Sequence, residues 1–313
     1  MIDFTACQRR NKAYAGANGN KISVIYNDSL YMIKFPTVPT KTDAVSYTNS
    51  CVSEYLGCKI FELLGIPVQS VELGTYKVGE KEKVVVACRD FTSNGFVLQD
   101  FASLKNQIID SERNGYGTEI TDVLNTIHKQ TVMDSQSLEE HFWNVFIVDA
   151  LIGNWDRHNG NWGFLYNQIT DEVKLAPIFD CGSSLYPQAD EFLMKRILEN
   201  KGELHHRVYN IPTSALQKDG KKIKYYELLS SMQYEECNRA LKRMVPKVDM
   251  KAIYQLIDNT PYIDELQKKF YKTMIKARKE LLLDFAYKKV IEKDISVDPP
   301  VKPVIKPKAP RLA

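Results

Sequence analysis

The 313-residue chain is long enough for one large domain or for two lobes that each have a core. Its 44% hydrophobic and 26% charged residues are typical of a globular protein, and a net charge of +3 is too small to indicate nucleic acid or an anionic membrane as an obligatory partner. No run of 18 apolar residues is present and the N-terminal residues lack a basic start with an apolar stretch, so we expect neither a membrane span nor a secretory signal peptide.

The first ninety residues predict a small β-rich lobe that contains one helix. Residues 22–26 and 30–35 are β-rich runs separated by Asn27-Asp28-Ser29, which predicts a hairpin. A helix over residues 50–64 follows and is stopped by Gly65 and Pro67. Residues 68–78 and 83–88 predict two further strands, and a linker near residues 88–91 leads into the rest of the chain.

The remainder predicts a larger helical lobe. Helices begin near Phe101, and Ser137 with Glu140 forms a capping box before an apolar helix over residues 138–152. Residues 190–289 have helical periodicity throughout. From Asp294, five prolines interleaved with lysines predict an extended or disordered tail. We therefore divide the chain into a β-rich lobe (1–91), a helical lobe (92–290) and a Pro/Lys-rich tail (291–313).

The most informative stretch is a loop directly after the helix that ends at residue 152. It reads Gly153-Asn154-Trp155-Asp156-Arg157-His158-Asn159-Gly160-Asn161-Trp162, and an apolar run that ends in Phe179-Asp180-Cys181-Gly182 follows it. Phosphoryl transfer requires such a set: one carboxylate accepts a proton, while an amide oxygen and a second carboxylate hold Mg²⁺ against phosphates. The alternative is that Asp156, Asn159 and Asn161 only form turns, but the two motifs in this order favour the catalytic interpretation.

The β-rich lobe contains residues suited to holding a nucleotide. Gly16-Ala17-Asn18-Gly19-Asn20-Lys21 lies before the first predicted strand, where backbone N–H groups can approach phosphates; a simple turn is an equally good interpretation. Lys34 ends an apolar strand on the face shared with Leu30 and Met32, and is either a phosphate-binding lysine or a snorkelling edge lysine. Glu54 lies opposite the main apolar stripe of its helix, and is either solvated or the partner of Lys34.

Other site chemistries are not indicated. The five histidines form no zinc-binding spacing, no GxSxG elbow is present, and His205-His206 fits a solvated pair. The six cysteines form no CxxC pair, so we expect reduced thiols in a reducing compartment. Cys181 is an unsuitable nucleophile because the neighbouring Asp180 disfavours its thiolate.

Lys34, Glu54, residues 154–161 and Phe179-Asp180 together resemble the HipA-like serine/threonine kinases, over roughly residues 10–285. Asp156-Arg157-His158 is also similar to an element of the phosphatidylinositol kinases, to which that fold is related. The resemblance implies an α+β, two-lobed protein-kinase-like fold with a small β-rich, nucleotide-binding N-lobe and a larger helical, catalytic C-lobe. It also implies ATP with Mg²⁺, Ser or Thr acceptors and autophosphorylation.

Carried over position by position, the resemblance makes Asp156 the catalytic base and Asn161 and Asp180 the metal ligands. Lys34 becomes the phosphate-binding lysine and Glu54 its partner. The remaining nucleotide-binding residues are those of the glycine-containing loop and of a hinge that meets adenine: Gly16, Ala17, Asn18, Gly19, Asn20 and Lys21, and Cys88, Arg89, Asp90 and Phe91.

Two departures from HipA bear on partners. HipA has a long additional N-terminal region, whereas the phosphate loop here begins near residue 13, and the regulatory serine of HipA has no counterpart in Ala13-Tyr14-Ala15-Gly16. We therefore expect a protein substrate as partner and neither an antitoxin nor operator DNA. The resemblance implies a bacterial, cytoplasmic protein, and export or translocation into host cells without a signal peptide stays open.

Two rival functions also stay open. A lipid or small-molecule kinase on the same fold would need a basic, lipid-facing acceptor surface, which the small net charge does not favour. A catalytically weak nucleotide-binding interaction module would be expected to lack Asp156, Asn161 or Asp180, and all three are present.

Overall fold

The computed structural model of the chain describes residues 2–14, 20–36, 48–108 and 114–297. The N-terminal lobe is a six-stranded sheet with strand order β1-β5-β6-β4-β3-β2, in which β1 and β5 are parallel and the other neighbours antiparallel. Helix α1 (Ser50–Leu63) packs against β5 and β6, which confirms a β-rich lobe with one helix. The strands are β1 Ile2–Asp3, β2 Gln8–Arg10, β3 Lys21–Tyr26, β4 Ser29–Lys34, β5 Val71–Val78 and β6 Lys81–Arg89.

The predicted hairpin is confirmed as β3 and β4. Its two turn residues, Asn27 and Asp28, have φ angles of 47° and 56°. Two consecutive left-handed residues form the turn type that matches the twist of paired strands, and Asn and Asp tolerate that conformation. The resulting register places Lys21 opposite Lys34. The first predicted strand is nevertheless the third, since β1 and β2 precede the glycine-containing loop.

The two faces of the N-terminal sheet bury different clusters. Tyr31 and Ile33 of β4 pack in a cluster with Phe4, Val24 and Tyr76, whereas Met32 packs against the main core that includes α1. Because side chains alternate along a strand, Lys34 shares the face of Met32 and is directed toward α1. This is the face predicted for it from the sequence.

The C-terminal lobe is mainly helical, as predicted. A π-helical segment, Lys279–Asp284, joins α10 to α11 into one continuous helical run. The helices are α2 Phe101–Ile108, α3 Ile120–Lys129, α4 Ser135–Ile152, α5 Glu191–Glu199, α6 Lys201–Tyr209, α7 Tyr225–Ser231, α8 Glu235–Met244, α9 Met250–Asn259, α10 Glu265–Arg278 and α11 Phe285–Val297.

Two small β-structures in this lobe were not predicted. Strands β7 (Phe96–Asp100), β8 (Gly163–Asn167) and β9 (Val173–Leu175) form an antiparallel sheet. Strands β10 (Thr213–Lys218) and β11 (Lys221–Lys224) form a hairpin, so the prediction of helix throughout residues 190–289 is wrong there. The Asp219-Gly220 pair between β10 and β11 is a strong hairpin-turn signal, and the short, lysine-rich strands beside it hid the alternation.

Helix α4 leads directly into the loop that contains the predicted base, Asp156. Its N-cap is Asp134, whose carboxylate accepts a bond of 2.8 Å from the Ser137 N–H, so the predicted capping box at Ser137 is wrong. The helix ends at Gly153, which adopts a left-handed φ of 66°. A glycine there ends the helix without a steric cost from a Cβ and begins the loop sharply.

The predicted tail boundary is wrong by several residues. Helix α11 continues to Val297, and Lys242 Nζ lies 3.0 Å from the Asp294 carboxylate. The first proline of the tail is at position 299, so nothing up to Val297 forbids a helix. Residues 298–313 lie outside the described residues. Within the described ranges, no helix is long and apolar enough to cross a membrane.

Candidate active site

Lys34, Glu54 and Asp180 meet where the two lobes face each other. Lys34 Nζ, at the end of β4, lies 3.0 Å from Glu54 Oε2 on α1 and 2.8 Å from Asp180 Oδ1. The Glu54 side chain is 1% exposed, that of Lys34 16% and that of Asp180 46%. The lysine is therefore held by a buried carboxylate on one side and by an accessible one on the other.

Glu54 is buried because α1 is covered on both sides. A Cβ on Gly57, one turn further along, would lie 2.8 Å from the Cys181 Cβ, and a Cβ on Gly182 would lie 3.1 Å from Glu54 Oε2. The alternative of a solvated glutamate is thus wrong. The apolar stripe predicted for α1 is only part of the buried surface of this helix, because Cys58 and Phe61, on the same side as Glu54, are also buried.

The charges in this cluster stabilise one another. The Lys34 ammonium lowers the pKa of Asp180 to about 2 despite the burial that opposes ionisation. Burial lowers the pKa of Lys34, but the carboxylates of Asp180 and Glu54 outweigh that effect and raise the pKa well above its usual value. Asp180 is therefore ionised at neutral pH, as a metal ligand must be.

Short main-chain bonds hold the Asp180 segment against the N-terminal lobe. The Ile178 N–H donates to the Pro67 carbonyl at 2.9 Å, and the Gln69 N–H donates to the Ile178 carbonyl at 2.8 Å. Asp180 itself has a left-handed φ of 57°. The left-handed residue closely follows the bridge, and its carboxylate lies 2.8 Å from Lys34 Nζ.

The loop after α4 is a network of side chain to main chain bonds. Asn154 Nδ2 donates to Asp149 Oδ1 at 2.9 Å, and Asn154 Oδ1 accepts from the Asp156 N–H at 3.1 Å. Asn161 Nδ2 donates to the Asp156 main-chain carbonyl at 2.9 Å. This bond joins the predicted base to the predicted metal ligand five residues later. Asn159, in contrast, is buried and donates to the carbonyls of segment 115–117, which is a structural role.

Arg157 joins the loop after α4 to the segment that ends in Asp180, a role that the sequence did not indicate. Its Nη1 donates to the Asn161 carbonyl at 3.0 Å and to the Phe179 carbonyl at 2.5 Å. Its Nε lies 3.0 Å from Asp149 Oδ2 on α4. The only hint in the sequence was an aspartate in the apolar helix, eight residues before the arginine.

Asp156 lies within electrostatic reach of several charged groups. Burial raises the pKa of its carboxyl, the ring of His158 opposes that rise, and the charge of Asp180 adds to it. The ammonium of Lys222, on β11, also acts on Asp156 and lies 5.8 Å from the ring centroid of Trp155. The β10–β11 hairpin is therefore next to the candidate base.

The remaining predicted nucleotide-binding residues are only partly placed. Residues 16–19 lie outside the described residues, and Asn20 is exposed. Lys21 begins β3 opposite Lys34; burial lowers its pKa, and the Lys34 charge lowers it further. Contact of Lys21 with phosphate stays a prediction.

The predicted hinge is not a simple loop. Cys88 and Arg89 end β6, and the N–H groups of Arg89 and Asp90 donate to carbonyls of the N-terminal lobe at 2.8 Å each. The Asp90 carboxylate accepts from Tyr14 Oη at 2.6 Å and lies 2.6 Å from Lys12 Nζ. The ring centroid of Phe91 lies 5.7 Å from that of Phe179, the residue before Asp180. Contact of this segment with adenine stays a prediction.

A divalent cation fits the chemistry of Asn161 and Asp180. Among the described residues there is no group of three His, Cys, Asp or Glu side chains that could hold a metal. Mg²⁺ is instead bound by one or two protein oxygens, with water and phosphate oxygens as the other ligands. An ionised carboxylate and an oriented amide supply those donors here.

Comparison with known proteins agrees with this geometry. The chain is 48% identical over 293 residues to the serine/threonine-protein kinase CtkA of Helicobacter pylori (strain J99), which covers 93% of this chain and 89% of that protein. The crystal structure of the H. pylori proinflammatory kinase CtkA matches with a TM-score of 0.87 and 47% identity, over 93% of this chain and 99% of that one.

A more distant structure shows the fold alone. HipA of Shewanella oneidensis MR-1, solved with HipB and its operator DNA, matches with a TM-score of 0.52 and 15% identity, over 89% of this chain and 68% of that one. The predicted two-lobed, α+β kinase-like fold is confirmed. The HipA-like C-terminal domain family matches residues 12–252. The chain belongs to the HipA-like family of serine/threonine kinases.

Proposed function

We propose that this chain transfers the γ-phosphoryl group of ATP to serine or threonine hydroxyls of protein acceptors, including its own. One observation carries the proposal: the carboxylates of Glu54 and Asp180 both lie within 3.0 Å of the Lys34 ammonium nitrogen. Arg157 ties that cluster to the loop that contains Asp156 and Asn161. Identity of 48% to a serine/threonine-protein kinase supports the same reaction class.

Asp156 is the group that accepts the acceptor hydroxyl proton. It lies in a loop whose backbone is fixed by Asn154 and Asn161, so its carboxyl is positioned before any substrate enters. Burial raises its pKa, which makes the carboxylate a stronger base than a solvated aspartate.

Asn161 and Asp180 would hold Mg²⁺, which neutralises phosphate charge when it is bound. Lys34 keeps Asp180 ionised, and the Asn161 Nδ2 bond to the loop carbonyl orients the amide. Lys34 in turn binds phosphate oxygens, while Glu54 fixes the ammonium position from its buried side. The adenosine part is proposed to lie along residues 88–91, with Gly16 to Lys21 over the phosphates.

Two finer expectations belong to this proposal. All six cysteines are free thiols, which supports a reducing, cytoplasmic compartment. The identity of 48% to a serine/threonine-protein kinase supports a protein substrate as the partner. Immunoblotting of cell fractions and purification of the tagged full chain from its host test these two points directly.

The transfer proposal is tested with the full chain, Mg-ATP and three acceptors: casein, a mixture of Ser/Thr peptides, and phosphoinositide vesicles. Asp156→Asn should bind Mg-ATP with unchanged affinity, while ³²P transfer to protein and to itself falls by about 10³-fold. Asp28→Asn is the matched control, because it lies in the exposed β3–β4 turn where asparagine adopts the same backbone.

Wild-type transfer from the Asp156→Asn variant would show that Asp156 is not the base. Transfer to vesicles without transfer to protein would replace the proposal with a lipid kinase. If the wild-type chain bound Mg-ATP but phosphorylated none of the three acceptors nor itself, the interaction-module alternative would be supported.

A further inference from the structure

The β10–β11 hairpin concentrates positive charge beside the candidate base. Lys218, Lys221 and Lys222 are exposed, and Lys224 follows two residues later. Lys218 and Lys221 are directly opposite each other across the turn. Like charges at directly opposite positions destabilise a hairpin, so the arrangement works against the local fold.

Three of the four lysines of this hairpin have no carboxylate partner among the described residues. Lys224 pairs with Glu227 at 3.0 Å, but Lys218 Nζ donates to a neutral partner, Gln233 Oε1, at 3.4 Å. Among the residues that the structure describes, no carboxylate lies within 4.0 Å of the Lys221 or Lys222 ammonium group. The nearby Glu119 carboxylate instead accepts main-chain bonds from Asp219 and Gly220 at 3.0 and 3.2 Å.

The hairpin is fixed relative to the catalytic loop on both of its sides. On β10, the Gln217 N–H donates to the Thr118 carbonyl at 2.8 Å, and Thr118 Oγ1 donates to the Ala215 carbonyl at 2.7 Å. After β11, the buried Tyr225 donates from its hydroxyl to the Asn154 carbonyl. The backbone that carries the lysines is therefore fixed relative to the loop of Asp156.

A concavity next to these lysines can receive side chains. It has a volume of about 280 Å³, and it is lined by polar residues, of which three are lysines and two are acidic: Lys218, Lys221, Lys222, Asp219, Glu227, Ser231, Gln233 and Tyr234. Lys222 also lies over the ring of Trp155, the residue before the base. Lys222 therefore links the lining of this concavity to the residue next to Asp156.

We propose that the β10–β11 hairpin is the acceptor-recognition surface, and that it selects proteins with aspartate or glutamate close to the phosphorylated serine or threonine. An extended acceptor rises ~3.3 Å per residue, so the acidic side chains would fall within roughly four residues of the hydroxyl. The net charge of the whole chain is only +3, and Asp219 and Glu227 lie beside the lysines, so the positive charge is confined to a small area of the surface. Such an area suits peptide carboxylates better than a polyanion or a membrane. This inference rests on the proposed kinase function.

The test uses serine peptides on a neutral scaffold, with Glu, Gln or Lys placed at each of the four positions on either side of the serine. With the wild-type chain, the best Glu peptide should have a KM about three- to tenfold lower than its Gln counterpart, with a similar kcat. The advantage should shrink between 50 and 500 mM NaCl, because salt screens exposed charges.

Two variants then reverse the charge of the surface. Lys221→Glu/Lys222→Glu should lose the preference for Glu peptides and prefer Lys peptides. Lys218→Glu/Lys221→Glu should weaken the preference while leaving Lys222, and so the field at Asp156, in place. Lys77→Glu/Lys81→Glu is the control: it makes the same change in net charge at exposed positions of the β5–β6 hairpin. Thermal unfolding of each variant verifies that it is folded.

The outcomes separate this inference from the proposed function. Equal KM values for Glu, Gln and Lys peptides, in a chain that phosphorylates them in an Asp156-dependent way, would overturn the inference and leave the kinase function intact. The same holds if the Lys77→Glu/Lys81→Glu control reverses the preference as strongly, or if the lysines are needed only for binding anionic vesicles. Failure to phosphorylate any peptide or itself would overturn the kinase function.

Discussion

At the scale of single residues, the site depends on groups that share partners. The Lys34 ammonium is bound by two carboxylates, and Arg157 bonds three separate segments. The sequence predicted Lys34, Asp156 and Asp180 because each stands at a recognisable local position. It could not predict Arg157, since its function depends on carbonyls at 161 and 179 that only the folded chain brings together.

The shared lysine predicts non-additive kinetics. Lys34→Met should lower kcat/KM for Mg-ATP by about 10²-fold or more, and Glu54→Gln by about tenfold, because the glutamate acts through the lysine. The double variant should be no worse than Lys34→Met. The surface pair Lys59 and Glu62, 2.9 Å apart on the same helix, supplies the control substitutions. Fully additive losses would show that Glu54 acts independently of Lys34.

Arg157 predicts a loss of both stability and turnover on a conservative change. Arg157→Lys keeps the charge but loses the fork that bonds Asp149 and two carbonyls, so unfolding free energy should fall by about 3 kcal/mol and kcat by about 10²-fold. KM for Mg-ATP should change little, as expected of a positioning residue. Arg239→Lys, at an exposed arginine whose buried partner Glu236 also pairs with Arg243, should cost less than about 1 kcal/mol. Equal effects of the two changes would contradict this assignment.

The low pKa of Asp180 predicts how stability depends on pH. Because the folded-state pKa is about 2 and the ordinary value is 3.8, the ionised carboxylate stabilises the fold above pH 4, and that contribution is lost as pH falls toward 2. Asp180→Asn lacks the contribution, so its urea-unfolding free energy should decline less steeply between pH 4 and pH 2.5. Parallel curves for the two proteins would show that Lys34 does not depress the pKa.

At the scale of elements, α1 connects Lys34 to the Asp180 segment. The helix was predicted to within one residue from its apolar spacing and from Gly65 and Pro67. Its second buried face was not, because polar and small residues such as Glu54 and Gly57 carry no hydrophobic signal. The short strands β7 to β11 were missed for a related reason: strands of three to six residues show too few alternations to be distinguished from loops or helices.

The packing of α1 predicts a specific cost at Gly57. Gly57→Ala adds a methyl group 2.8 Å from the Cys181 Cβ, so α1 must shift and carry Glu54 away from Lys34. Activity should fall and the melting temperature should drop, although alanine favours a helix by about 1 kcal/mol. Gly202→Ala in α6 is the control: its methyl group would have one close neighbour, the Asn200 side-chain oxygen at 3.2 Å, and would not approach the site. A more stable, fully active Gly57→Ala variant would contradict the close contact.

At the scale of the whole molecule, the division into lobes followed from two different periodicities in the sequence. The way the lobes meet did not, because it depends on contacts between residues far apart in the chain. The bridge between residues 67–69 and Ile178, and the bond from the Asn49 N–H to the Pro187 carbonyl, are of this kind. The acceptor-recognition surface also depends on such a contact, between Tyr225 and the Asn154 carbonyl.

The Lys34–Asp180 contact has a consequence for biosynthesis. It closes a loop between residues 146 positions apart, and such contacts form late in folding because chain entropy opposes them until local structure is in place. Lys34→Met should therefore leave the refolding rate unchanged and place any loss of stability in the unfolding rate, which stopped-flow fluorescence measures. During synthesis, the strand that carries Lys34 leaves the ribosome long before Asp180 and Tyr225 do. At about 5–20 residues per second, a nascent chain thus exposes Lys34 for many seconds before the site that we propose for phosphoryl transfer is complete.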